Sequence, residues 1–181
     1  MPMEPKIVFT GPPNAGKTTA IAAISDVAPV VTDVANHDAE LAKQRTTVGM
    51  DYGVVSLDGQ ESVRLFGTPG QKRFDFMWRI LVRNAIGIVI LVDNSQPDAL
   101  AQFEGFLDAL AEELAGGSCV VGVGRTESHP EPGMDAFSDL LAGRGHLFPV
   151  VAVDVRRRDD VLMLVELLLS QAEARQTLEL E

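Results

Sequence analysis

The sequence predicts an α/β fold with a six-stranded, mostly parallel sheet, one antiparallel edge strand and helices on both faces. Short β-branched apolar runs recur along the chain, and most are separated by helical patterns, the alternation of a doubly wound sheet. One connection differs. Asp58-Gly59 is a type I′ hairpin signal, so the strands on either side of it should pair antiparallel. The length of 181 residues suits one domain, residues 1–181, able to bury a core without disulfides or metals.

In chain order, Lys6–Thr10 is the first strand, followed by a Gly/Pro-rich loop and a helical pattern from Thr19 to Ile24. Val54–Leu57 and Val63–Phe66 form the hairpin, and Ile86–Val92 reads as a strand buried on both faces. Leu100, Phe103, Leu107, Leu110 and Leu114 then recur at intervals of three and four, which sets them on one helix face against the sheet. Val120–Val123 and Val150–Val153 complete the strands. Cys119, at the start of the fifth strand, reads as a small core residue and not as a nucleophile. A final helix from about Asp159 to Arg175 carries Val161, Leu164, Val165 and Leu168 on one face, with a polar extension that can fray. No repeat or linker interrupts the chain.

The formal net charge of −11 argues against a nucleic-acid surface, which needs clustered Lys and Arg, and leaves protein as the expected partner of this surface. The apolar runs Ile86–Val92 and Val161–Leu169 are too short to span a bilayer, so no integral membrane segment is expected. Neither a signal peptide nor a lipidation signal is read at the ends. With a single cysteine, a reducing cytoplasmic location is the expectation.

Gly11-Pro12-Pro13-Asn14-Ala15-Gly16-Lys17-Thr18 matches G-x-x-x-x-G-K-[ST] in full and directly follows a strand. Such a loop curls its N–H groups around phosphate while the following helix adds its positive dipole end. Pro12 and Pro13 have no N–H, so the donors come from Asn14 onward, through Ala15, Gly16, Lys17, Thr18 and Thr19. Lys17 can neutralise β/γ-phosphate charge, and the Thr18 hydroxyl can take one position on Mg²⁺, which prefers oxygen ligands. The fold expected is therefore the three-layer P-loop NTPase fold.

Two further segments stand in the order that sensing a γ-phosphate requires: Arg45-Thr46-Thr47-Val48-Gly49-Met50-Asp51-Tyr52-Gly53, and Phe66-Gly67-Thr68-Pro69-Gly70-Gln71. With these three motifs the whole chain resembles a Ras-like small GTPase, in particular the bacterial group of conservon and gliding-motility type. The resemblance implies a GTP/GDP switch with bound Mg²⁺ and slow, partner-stimulated hydrolysis. It also implies a regulatory or effector protein partner, with roadblock-domain proteins among the candidates. Thr47 resembles the switch I threonine that ligates Mg²⁺ and meets the γ-phosphate, with Thr46 as the alternative register. Gly70 resembles the switch II glycine that donates its N–H to the γ-phosphate, and Gln71 the glutamine that orients attacking water.

The chain departs from that pattern twice. Gly67 stands where most Ras-like proteins have an aspartate that holds a Mg²⁺-bound water. Asp51 and Asp93 are the nearest substitutes, but Asp51 is expected on an exposed edge strand and Asp93 at a strand end, so neither is assigned. Secondly, Gly124-Arg125-Thr126-Glu127 occupies the place of Asn-Lys-x-Asp. Glu127 can still accept from the N1–H and exocyclic amine of guanine, and Arg125 can lay its guanidinium over the base; a solvated charged loop is the alternative. Asp154-Val155-Arg156 is read as a weaker base-contacting segment, and Arg156-Arg157-Arg158 as a solvated helix entrance.

Phe74 and Trp78 are read as packing under the switch helix, with a partner surface as the alternative. Arg45, Arg73 and Arg79 are surface charges or internal arginine fingers, and His37, His129 and His146 receive no chemistry. Three rival functions stay open: a nucleotide-binding module that does not hydrolyse, as the missing carboxylate at Gly67 would suggest; an ATPase of the same fold, as the altered base motif would; and a small-molecule phosphotransferase, for which the sequence shows no obvious arginine-rich lid.

Overall fold

A computed structural model describes residues 4–34, 48–58 and 61–180. Seven strands form one sheet: β1 (Lys6–Thr10), β2 (Val30–Val34), β3 (Val48–Leu57), β4 (Glu61–Gly67), β5 (Gly87–Asp93), β6 (Cys119–Gly124) and β7 (Val150–Val153). They lie in the order β2-β3-β4-β1-β5-β6-β7. The six expected strands are present, and a seventh, β2, extends the sheet. The pairs of β1, β4, β5, β6 and β7 with one another are parallel, whereas β3 runs antiparallel to β4 and to β2.

The antiparallel strand is thus where the hairpin signal put it, but it is not the edge. Nor does it begin at Val54: it starts at Val48 and pairs with β2 over Val48–Tyr52. The run Val30-Val31-Thr32-Asp33-Val34 has the β-branched content of a strand, but it is short and carries an acidic residue. Its pairing with Val48–Tyr52 further along the chain is a tertiary event that local pattern does not announce. Asp58 has φ 49°, a left-handed turn conformation, and Gly59 lies outside the described residues.

Alternation along β1 divides the core. Ile7 and Phe9 point to the face covered by α1 (Lys17–Ile24) and α6 (Arg158–Glu179), where they join Ile21, Ile24, Val161, Leu164, Val165 and Leu168. Val8 points to the other face, covered by α2 (Asp75–Val82), α3 (Ala99–Ala109), α4 (Ala111–Ala115) and α5 (Met134–Gly143), where it joins Trp78, Phe103, Leu107, Phe137 and Leu141. Every residue of β5 is buried, as a central parallel strand requires. The leucine stripe of the third helix packs as expected but divides at Leu110 between α3 and α4, with Phe103, Leu107, Leu110 and Leu114 all buried. Cys119 is fully buried, and that burial pushes its thiol pKa up, which fits a core residue.

Candidate functional site

The parallel strands all end on one edge of the sheet, so the loops that leave them share a rim, the usual place for ligands in open α/β sheets. A cleft of about 740 Å³ opens there. Its walls are residues 14–19 after β1, 124–128 after β6 and 152–157 after β7. Asn14, Ala15, Gly16, Lys17, Thr18, Thr19, Arg125, Glu127 and Asp154 therefore face one space. Gly70 approaches Pro12 and Pro13 of the loop, and neither it nor Gln71 is among the residues that line the cleft. Thr47, like its alternative Thr46 and the candidate finger Arg45, lies outside the described residues.

The loop after β1 is shaped by backbone that only some residues can adopt. Gly11 has φ 148°, and a Cβ there would come within 2.3 Å of the Leu91 carbonyl oxygen. Gly16, at φ 100°, caps α1, and a Cβ there would meet Val155 at 2.6 Å. The Ala15 N–H closes a turn onto the Pro12 carbonyl at 3.2 Å. Lys17 opens the helix with its side chain folded back, so that Nζ donates to the carbonyls of Gly11 and Pro12, each at 2.7 Å. Burial pushes the Lys17 ammonium down to about 8, against the nearby Asp51 carboxylate, which pulls it up. A polyphosphate entering the loop would supply the negative charge that this buried cation lacks.

The second motif is strapped to the same loop. The hydroxyls of Thr10 and Thr68 share a hydrogen bond of 2.8 Å, and the Thr68 N–H donates to the Phe9 carbonyl. At Gly70, a Cβ would stand 2.5 Å from the Pro13 nitrogen. Only glycine lets this backbone approach so closely, and proline at 13 loses no donor by being covered. Behind the motif, Trp78 donates its indole N–H to the Pro69 carbonyl at 2.5 Å and stacks on Phe106 with ring centroids 4.2 Å apart. Trp78 is thus core, as expected, and its indole holds the segment from beneath. Phe76 and Ile80, on the outer face of α2, are more than half exposed. Arg79 donates to the Ala109 carbonyl, and the Arg73 guanidinium lies over the Phe74 ring, so neither is aimed at the loop.

Asp51 is not on an exposed edge. It is 6% exposed, because β2 covers β3 on its outer side and because Asp51 faces Gly67 directly across the β3–β4 pair. Its Oδ2 accepts a hydrogen bond from the Thr18 hydroxyl at 2.7 Å. This contact joins the phosphate loop to β3.

At the other end of the cleft, Arg125 adopts φ 61° and forms an ion pair with the buried carboxylate of Asp93 at the end of β5. Its guanidinium also lies 3.4–3.5 Å from the Asn14 carbonyl. Burial pushes the Asp93 carboxyl up, but hydrogen bonds from Ser95 and Arg125 outweigh it and hold the group below its ordinary value. Next to it, the Asn94 amide donates to the carbonyls of His129 and Pro132, which ties down the loop that carries Glu127. Glu127 itself is exposed to the cleft. Asp154 is gripped by the Arg156 guanidinium at 2.7 and 2.9 Å, which draws its carboxyl down to about 2. Arg156 and Arg157 also line the cleft, so the arginine run contributes to its wall. Among the described residues no cluster of His, Cys, Asp and Glu has the composition of a stand-alone metal site.

This architecture is similar to that of solved structures. The G domain of the T. maritima FeoB iron transporter superposes with a TM-score of 0.64, covering 93% of this chain and 99% of that one at 18% identity. The bacterial selenocysteine-specific elongation factor EF-Sec superposes with a TM-score of 0.65 over 92% of this chain and 29% of that one, at 14% identity. The fold is that of a G domain. In sequence, the chain is 29% identical over 121 residues to the Ras-related protein Rab-44 of Mus musculus, which covers 65% of this chain and 11% of that protein. It is 24% identical over 160 residues to the Ras-related protein Rab-18-B of Danio rerio, covering 86% and 73%. The chain thus spans about a tenth of the Rab-44 length. At this low identity the likeness supports a small GTPase relationship. A family profile described as "conserved hypothetical ATP binding protein" matches residues 30–116. No helix among the described residues is long and apolar enough to cross a membrane.

Proposed function

We propose that residues 1–181 form a single Ras-like GTPase domain that binds GTP and GDP, hydrolyses GTP slowly, and passes its state to a protein partner. The observation that carries this reading is that the phosphate loop and Glu127 face one cleft, whose 740 Å³ is within the usual size of a ligand site. In this reading the N–H groups from Asn14 to Thr19 and the Lys17 ammonium hold the phosphates. Glu127 pairs with the donors of guanine, Arg125 borders the base, and Asp154 supports the far side of the base pocket.

Thr18 and Asp51 offer hard oxygen donors beside Lys17, a set that suits Mg²⁺ completed by phosphate oxygens and water, with Thr47 as the further ligand expected from switch I. Bound there, Mg²⁺ offsets charge on the β- and γ-phosphates. Gly70 offers its N–H to the γ-phosphate, and Gln71 positions the attacking water; the rest of the work is orientation. The exposed Phe76 and Ile80 on α2 offer an apolar surface to a protein partner, roadblock-domain proteins being the class that the bacterial resemblance suggests. A cytoplasmic setting fits such a switch.

An ATP-binding reading draws on the description of the matching family profile, but that match covers 30–116 and so includes neither the phosphate loop nor Glu127. The deciding experiment is the nucleotide content of the purified protein, followed by calorimetric titration with GTP and ATP. Bound GDP or GTP, together with slower hydrogen exchange over 67–83 with a non-hydrolysable GTP analogue than with GDP, is the expected result. Equal exchange in the two states would remove the switch, and tighter ATP binding would replace guanine with adenine.

A further inference from the structure

The end of the sheet opposite the cleft carries a charge imbalance that the nucleotide reading does not use. Lys6 opens β1 and is the direct partner of Arg64 across the parallel β1–β4 pair, so two cations stand side by side on the face that also carries Val8 and Phe66. Val55, Val63 and Leu65 of β3 and β4 are buried against α1 on the other face, while Lys6, Val54, Arg64 and Phe66 stay half-buried here. Little compensates the two charges. Arg64 donates to the Glu4 carbonyl at 2.8 Å, but the Glu4 carboxylate is 3.9 Å away, and the Arg64 Nε is buried without a hydrogen-bond partner. Lys6 has no ion pair among the described residues, and burial, followed by the Arg64 charge, holds its ammonium below the ordinary value. Like charges directly opposed on neighbouring strands repel, and a buried donor left unpaired is costly. An oxyanion at this pair would relieve the repulsion, and the Arg64 side chain, 29% exposed, is open to one.

We propose that Lys6 and Arg64 form a carboxylate-recognition site for an acidic and apolar segment of a partner protein. One carboxylate sits between the two cations, and an apolar neighbour lies on Val54 and Phe66. The two halves are contiguous, since the Arg64 guanidinium stands 5.6 Å from the centre of the Phe66 ring and Val54 is the partner of Arg64 across β3 and β4. Ser56 and Ser62, opposed at the next position on this face, are exposed and add hydroxyl donors at its end. A half-buried sheet face has few walls to hold a small free anion, whereas a chain lying along the strands gains the apolar strip as well as the charge. The surrounding molecule is acidic, with a net charge of −11, so the attraction is local to this pair and sets the register of the segment. The site stands whichever nucleotide the cleft binds.

The test is fluorescence anisotropy with a labelled, end-capped peptide of alternating glutamate and leucine, beside the same peptide with glutamine in place of glutamate. Wild type should bind the first and not the second. Lys6→Gln and Arg64→Gln should each weaken binding by about 10–100-fold, the loss expected for a hydrogen bond to a charged group. Lys72→Gln, at an exposed lysine just before α2, should leave it unchanged. Thermal melts of the free proteins should move the other way: Lys6→Gln removes the repulsion, so it should melt at or above wild type while losing the peptide. Failure of wild type to bind the acidic peptide, or equal affinity for the two peptides, would overturn the proposal. So would unchanged binding in both cation variants, or a Lys6→Gln protein that melts well below wild type, which would make the lysine a structural residue. An equal loss in Lys72→Gln would reduce the effect to general surface charge. Sedimentation that shows wild type self-associating, with association lost in Arg64→Gln, would replace the partner with a second copy of the chain and overturn the proposal in that way.

Discussion

The two ends of the cleft solve the same problem differently. At the phosphate end, backbone does the work: Gly11, Gly16 and Gly70 permit approaches that any Cβ would block, and Lys17 is buried against loop carbonyls. At the end that the proposed reading gives to the base, side chains do it: Arg125 pairs with Asp93, Asn94 ties the loop down, and Arg156 grips Asp154. Phosphate is the same in every nucleotide, so its cradle can be rigid. A base must be distinguished from its rivals by polar groups, and several arrangements of side chains can position those groups. On the proposed reading, a changed side chain at the base end leaves other ways to position polar groups, whereas a Cβ at Gly11, Gly16 or Gly70 would clash with its packed neighbours.

The sharpest break in this comparison should come from Lys17→Ala. Truncating one partner of a buried, charge-paired contact costs about 2–5 kcal/mol, so GTP affinity should fall by about 30-fold to several thousand-fold. Calorimetric titration checks it, with circular dichroism to establish that the fold is retained. Unchanged affinity would take the phosphate-loop assignment away.

Gly70→Ala should come next, acting by geometry without removing any polar group. A Cβ 2.5 Å from the Pro13 nitrogen forces the two loops apart. A displacement of about 1 Å can cost on the order of 100-fold in rate, so GTP turnover should fall by about that much while GDP affinity stays at the wild-type value. Equal losses for GDP and GTP would mean that the substitution damages the loop as a whole.

At the other end, Glu127→Ala should reduce the preference for GTP over ATP by roughly 1–3 kcal/mol and leave the phosphate contribution intact. Competition of the two nucleotides for one labelled ligand measures it. A constant ratio would move the base reader elsewhere in the chain.

The same contrast separates what the local sequence carries from what only the fold supplies. The α/β class, the hairpin and the phosphate loop are legible because each depends on local pattern: short apolar runs in strands, an Asp-Gly turn, intervals of three and four in helices, glycines and a lysine in fixed order. Asp51 was misplaced because its burial depends on β2, a short strand with weak local signal, and on its register opposite Gly67. The Asp93–Arg125 pair joins the ends of two strands, and the Trp78–Pro69 contact joins a helix to the loop before it. Each requires knowing which elements are neighbours, and that information is not in the local pattern.

The smallest expected effect belongs to Arg125→Ala, and its pH dependence separates a strap from a base contact. Arg125 is half-exposed, so its pairing with Asp93 is screened by water and contributes on the order of 1 kcal/mol at most. It does, however, help Ser95 to hold the buried Asp93 carboxyl below its ordinary value. A carboxyl with a lowered folded-state pKa adds stability above its unfolded value of about 4 and loses that contribution as pH falls through the folded value. Arg125→Ala removes part of this contribution, so the variant should melt slightly below wild type at pH 7, and the gap should close as the pH drops below about 4. GTP and GDP affinities should fall equally and by only a few-fold, since the Asn14 contact orients the phosphate loop from outside. Thermal melts at pH 7 and pH 3 would decide it. A gap that persists in acid would mean that Arg125 stabilises the fold by packing and not through Asp93, and a selective loss of GTP over ATP would make it a base contact after all.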